Sequence, residues 1–272
     1  MKFLVRWKLL LFILGSSLTA VNVYGLFQDI RPAHFSPEDL RFEGDIAVAY
    51  EKTLSVLARN VDESEKDYTS RLSHVISEGI SHIHWVSFDN TKFNQLIPIW
   101  ENYFLYFMGK VSSIPEFERY HFADYKRSLK RGIGICGDAS MIMSQLLEIE
   151  GIQHDIINFP SHIVVGVNFS DGTEFVQDPD FGITIPHSPG DIQNNVNIIN
   201  DFYSNAGYTE SDLAKLHKIY DNKYKRWDDV EHFITKKYYF EYLTYALKWP
   251  LPIFMMLLAL FLFIRKNKIL KL

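Results

Sequence analysis

The chain opens and closes in apolar runs, and the sequence between them is patterned and polar. Leu9 to Phe27 and Trp249 to Ile264 are almost free of charge, and each is flanked by Lys and Arg. A helix needs about 20 apolar residues to cross a bilayer. The stretch from Tyr245 to Ile264 meets that length if Lys248 snorkels to the interface, which leaves Trp249 at the headgroup belt. Two transmembrane helices are therefore expected. The first has a rival reading as a signal peptide: a Leu9–Leu14 core, then Gly15-Ser16-Ser17 and Val23-Tyr24-Gly25.

Between these ends the period of the pattern changes twice. Ser36-Pro37-Glu38-Asp39-Leu40 reads as a capped helix start, with the helix running to about Asn60. Asp62 to His84 has Leu72, Val75, Ile76, Ile80 and Ile83 at helical spacing. Thr91 to Lys110 and Pro115 to Lys130 also read as helices, the former kinked or split by Pro98. Asp138 to Glu150 reads as a helix stopped by Gly151. Then come three short Val-, Ile- and Phe-rich runs, His154–Phe159, His162–Phe169 and Thr173–Asp178. Pro160 separates the first two, and Asp171-Gly172 predicts a hairpin between the last two. Ser188 to Ala246 returns to helix, with Gly207 as a break. The sum is an α+β fold. Its parts are an anchor or signal peptide (1–27), a helical region (28–127), a central core (128–187), a second helical region (188–244), a span (245–264) and a basic tail (265–272).

Charge sharpens this picture. Seven of the 28 Lys and Arg lie in the two tails, leaving 21 against 33 Asp and Glu, so residues 28 to 248 carry about −12. Basic residues outside both spans belong in the cytoplasm, which puts the acidic middle on the far side of the membrane. The short basic tails point to a bacterial inner membrane, with the central domain periplasmic or extracellular. An acidic domain is a poor match for nucleic acid.

The chemistry concentrates around one residue. Cys136 is the only cysteine, and Gly132, Gly134 and Gly137 surround it where a turn runs into a helix. A free thiol in an oxidising compartment is a liability. A buried inert cysteine is the plain alternative, but it does not account for the glycines. A helix N-terminus favours the thiolate. His162 opens one predicted strand and Asp178 closes another, which suits a base and the acid that orients it. His154 and His187 are less well placed, and Asp180 competes with Asp178 as the imidazole's partner. Asp138 reads as a first-turn acid. His82 and His84, with His74 or His121, lack the three- or four-residue spacing of ligands on one helix face, so no metal and no cofactor is expected.

Gly134-Ile135-Cys136-Gly137-Asp138-Ala139, Glu150-Gly151-Ile152, Ser161-His162-Ile163-Val164-Val165 and Val176-Gln177-Asp178-Pro179 together resemble the core of the transglutaminase-like superfamily. The resemblance covers about residues 128 to 182. It implies a papain-like arrangement with Cys136 as nucleophile, His162 as base and Asp178 as orienting acid. It also implies acyl chemistry on amides: a peptidase, amidase or acyl transferase with a peptide or protein substrate. Two features depart from the family. Ile163 stands where an aromatic residue often follows the histidine, and no oxyanion-stabilising side chain can be chosen from Trp85, Trp100, Tyr120 and Tyr125. The alternative is therefore a protein that keeps the fold without turnover, as a binding or assembly partner in a cell-envelope or polysaccharide-export complex.

Overall fold

The computed structural model describes residues 2–269; Met1 and the last three residues, with Lys271 of the basic tail, lie outside the described residues. Helix and sheet are mixed, as in an α+β protein. The chain divides into two compact units. One comprises Met1–Ile30, Asp89–Tyr120 and Tyr239–Leu272, and the other Arg31–Phe88 and His121–Tyr238.

In the first unit the helix Lys2–Gly25 packs along the helix Pro250–Ile269. Contact is close because Gly15 has no side chain: a Cβ there would lie 2.7 Å from the Pro252 carbonyl oxygen. Asn22 Nδ2 donates to the Lys248 carbonyl at 2.5 Å, and Lys8 Nζ to that of Leu262 at 2.5 Å. Among the described residues one helix, over Arg6–Gly25, is long and apolar enough to cross a membrane, a test that an N-terminal signal sequence also passes. The C-terminal apolar region is not the single straight segment expected from Tyr245. Its helices Lys236–Leu247 and Pro250–Ile269 meet at a 46° bend. Pro250 suits the first turn of a helix but cannot donate to the preceding one. The expected helix Thr91–Lys110 is also shorter, beginning at Tyr103. Asn102 Oδ1 caps it, accepting from the N–H groups of Phe104 and Leu105.

The second unit is built on strands. β1 (Ser81–His82) pairs in parallel with β2 (Ile133–Gly134). β3 (His154–Phe159), β4 (His162–Asn168), β5 (Glu174–Asp178), β6 (Ile183–Ile185) and β7 (Lys225–Trp227) form an antiparallel sheet in the order β6-β5-β4-β3-β7. The Asp-Gly turn joins β4 to β5: Gly172 has φ +83°, and Asp171 Oδ1 accepts the Thr173 N–H at 3.0 Å. Both faces of the sheet are covered. Val165 and Val167 pack with Ile142, Leu146 and Leu147 of the helix Cys136–Ile149, and with Leu72 and Ile76 of the helix Glu65–Gly79. Val164 and Val176 pack on the other face with Ile199, Tyr203, Leu216 and Tyr220. Successive strand residues point to opposite faces, so His162 and Asp178 share the face of Val164 and Val176.

The Cys136–Ile149 helix ends as its sequence predicts. Gly151 adopts φ +69°, and the Ile152 N–H reaches back to the Leu147 carbonyl at 2.9 Å, a Schellman closure. Other expected helices are broken. The run from Ser36 to about Asn60 holds a single 3₁₀ turn, Pro37–Asp39, and a short helix, Tyr50–Ser55. Gly44 at φ +72° and the capture of the Asp45 carboxylate by His82 override helix propensity between them. The helix expected through His84 stops at Gly79, where the chain enters β1. Pro115–Lys130 splits into Pro115–Glu118 and Tyr125–Arg131, the latter capped by Asp124, which accepts the Arg127 N–H. The C-terminal helical region contains β7.

Leu147 is fully buried where the helix meets the sheet. Leu147→Ala is expected to lower unfolding stability by about 2–5 kcal/mol, read as a lower urea midpoint at unchanged slope; a loss under about 1 kcal/mol would contradict this packing.

Candidate active site

Cys136 is the first residue of its helix, separated from β2 only by Ile135, the N-cap. The turn is held from within: Asp138 Oδ2 accepts the Ile135 N–H at 3.0 Å. Asp138 is thus a first-turn acid, and it is fully buried. Its charge is balanced by His121, whose Nδ1 lies 2.7 Å from Oδ2, and by the wholly buried Arg131 at 3.7 Å. Burial works against the charged carboxylate, but His121 and Arg131 outweigh it and hold Asp138 below the usual carboxylate range. Trp85 stacks on His121 at 4.4 Å. Gly134 has a steric reason to be glycine, because a Cβ there would sit 2.8 Å from that of Asp138. Ser140 Oγ donates to the Ile163 carbonyl at 2.9 Å and ties the helix to β4.

His162 begins β4 after a two-residue turn, with Ser161 at φ +73°. In the register Val165↔Gln177 and Gly166↔Val176, His162 and Asp178 are diagonal neighbours on one face. His162 Nε2 lies 2.7 Å from Asp178 Oδ2, which leaves Nδ1 for the thiol. Burial opposes charge on this imidazole, yet the Asp178 carboxylate and the contact with Cys136 raise its pKa well above the ordinary value. Asp178 is fully buried. Its Oδ2 also accepts from Tyr203 Oη at 2.5 Å and, at the limit, from Tyr220 Oη at 3.5 Å. The two phenols lie 2.9 Å apart. Burial and the nearby Asp178 carboxylate push both tyrosines well above their usual pKa, so they act as neutral donors.

A second imidazole chain runs beside the first. His82 is buried in β1 and makes two contacts with Asp45 Oδ2, from its backbone N–H at 2.7 Å and from Nδ1 at 2.8 Å. Its Nε2 faces Asp180 Oδ1 at 3.0 Å, an ion-pair contact with poor hydrogen-bond alignment. Burial disfavours charge on His82, but Asp180 and Asp45 outweigh it and raise the pKa to about 10. Asp180 feels the converse: burial raises it, and His82 holds it below the carboxylate range. The Asp180 N–H donates to Asp178 Oδ1 at 3.2 Å, joining the two chains.

Donor atoms of Cys136, His162 and Asp180 lie within 4.8 Å of one another. The three residues line a cavity of about 170 Å³ with Phe42, Phe181 and Tyr208, and Arg41 and Lys215 also line it. His154 instead meets Ser144 Oγ through Nε2 at 2.8 Å, and His187 lies against Phe202. The roles of Asp45, Tyr203 and Tyr220 had no signal in the local pattern, and His82 and Asp180 appeared only as competitors for other roles. No protein-family model, curated protein or solved structure matches the chain.

The two carboxylates are separable by substitution. With chelator present at pH 7, Asp178→Asn is expected to slow iodoacetamide alkylation of Cys136 by about tenfold, and Asp180→Asn by less. A larger loss from Asp180→Asn would make Asp180 the imidazole's partner.

Proposed function

We propose that this chain is a membrane-anchored, extracytoplasmic thiol enzyme of transglutaminase-like type, acting on amide bonds in peptides or proteins. The observation that carries the reading is the Cys136–His162–Asp178 line, with Nε2 on Asp178 at 2.7 Å and Cys136 at a helix N-terminus beside a cavity. Sγ attacks the amide carbonyl carbon as the thiolate, and His162 Nδ1 passes its proton to the leaving nitrogen as the C–N bond breaks. Water or an amine, deprotonated by the same imidazole, then attacks the thioester carbon and releases Sγ. Asp178 and its two tyrosines hold the ring through both steps. The backbone N–H of Cys136 is the candidate oxyanion donor.

The membrane part of the proposal rests on the N-terminal helix over Arg6–Gly25, its packing against Pro250–Ile269, and the acidic charge of the middle of the chain. The bent pair Lys236–Leu247 and Pro250–Arg265 serves as the second span, with both termini cytoplasmic.

One observation favours a second reading, a binding or assembly protein without turnover. Neither Trp85, Trp100, Tyr120 nor Tyr125 lines the cavity. Hydroxylamine separates the two. Full-length protein, chelator and a glutamine-containing peptide mixture should yield peptide hydroxamates by mass spectrometry. Cys136→Ala should abolish them, and His162→Ala should lower the rate by roughly 10³-fold. Equal hydroxamate from wild type and Cys136→Ala would overturn the enzyme reading.

A further inference from the structure

The three donors around the cavity are a thiol, an imidazole and a carboxylate, each from a different segment: a helix start, a strand start and the turn after β5. Such a set suits a borderline-soft cation. Tetrahedral zinc, with bonds of about 2.0–2.3 Å, needs donor atoms separated by roughly 3.3–3.7 Å. The donors already lie within 4.8 Å of one another, so the set would close by a shift of roughly 1–1.5 Å. Both non-thiol donors are also oriented from behind. Asp178 holds His162 through Nε2 at 2.7 Å and turns Nδ1 toward Sγ, and His82 faces Asp180 Oδ1 at 3.0 Å. A ligating histidine is ordinarily held by a carboxylate on its far nitrogen, and a ligating carboxylate by a further polar partner. The fourth coordination position would open into the 170 Å³ cavity.

We propose that Cys136, His162 and Asp180 form a reversible binding site for a thiophilic divalent cation of the zinc type, and that its occupancy blocks the thiol. Sγ and Nδ1 each give the metal a lone pair; the proton they share leaves to solvent, and no oxidant or reductant is involved. Water or a substrate oxygen takes the fourth position. No local spacing announces this site, because its donors are 26 and 18 residues apart along the chain. The proposal uses the same side chains as the thiol chemistry but does not depend on turnover.

The test uses full-length, chelator-stripped protein and zinc sulfate, with magnesium as control. Zinc is expected to bind one per chain and to slow iodoacetamide alkylation of Cys136 at least tenfold, with recovery on adding chelator. Magnesium should give no protection. Asp180→Asn should raise the zinc concentration needed for half-protection by about tenfold or more. Cobalt adds a spectroscopic readout: a thiolate-to-cobalt charge-transfer band with tetrahedral d–d absorption, lost in Cys136→Ser. Absence of that band in the wild type, or equal zinc protection of wild type and Asp180→Asn, would overturn the site. Hydroxamate formation is measured in chelator, so its failure and the failure of zinc binding are independent results.

Discussion

The second unit is organised around a buried charge. Asp178 has no solvent access, and an isolated carboxylate there would cost several kcal/mol. It is tolerated because His162, Tyr203 and Tyr220 converge on one oxygen and the Asp180 N–H takes the other. Those partners come from the neighbouring strand, from two C-terminal helices and from the following turn. The carboxylate can be satisfied only when sheet and helices have closed together. Folding of that layer and orientation of the imidazole are therefore one event, and the helices after β6 belong to the site although none supplies a nucleophile or base.

The two imidazole chains have different characters. Tyr203–Asp178–His162 runs from a buried phenol to an imidazole beside the Cys136 sulfur. Asp45–His82–Asp180 is closed at both ends by carboxylates, which keeps His82 charged and fixes Asp180 at the cavity wall. A carboxylate beside a thiolate would repel it unless neutralised, and His82 supplies the compensating charge. β1 places His82 opposite Gly134, two residues before Cys136, so the same parallel pair positions the neutralising group and the turn that presents the thiol.

Much of the central geometry was legible where local chemistry decides it. Glycines marked the turn at Cys136, Gly151 marked the helix stop, and Asp171-Gly172 set the register that makes His162 and Asp178 neighbours. Features decided by distant partners were hidden. Asp45 reads as a helical position until His82 captures its side chain, and β1 is only two residues long. β7 lies in a stretch that reads as helix, and it is held instead by pairing with β3 and by Arg226, which bridges Asp155 and Glu174 on the sheet surface. Tyr203 and Tyr220 lie in a stretch read only as helix, and nothing in their spacing reveals the carboxylate they reach.

The central claim is that His162 is held between the Cys136 sulfur and the Asp178 carboxylate, a setting that favours its charged form. Nitrogen-15 NMR of histidine-labelled protein at pH 7, with chelator present, tests it directly. Both ring nitrogens of His162 should show protonated shifts, with a far-downfield Nε2 proton from the bond to Asp178, and Asp178→Asn should remove that proton signal. A neutral His162 ring with no downfield proton, unchanged in Asp178→Asn, would contradict the account.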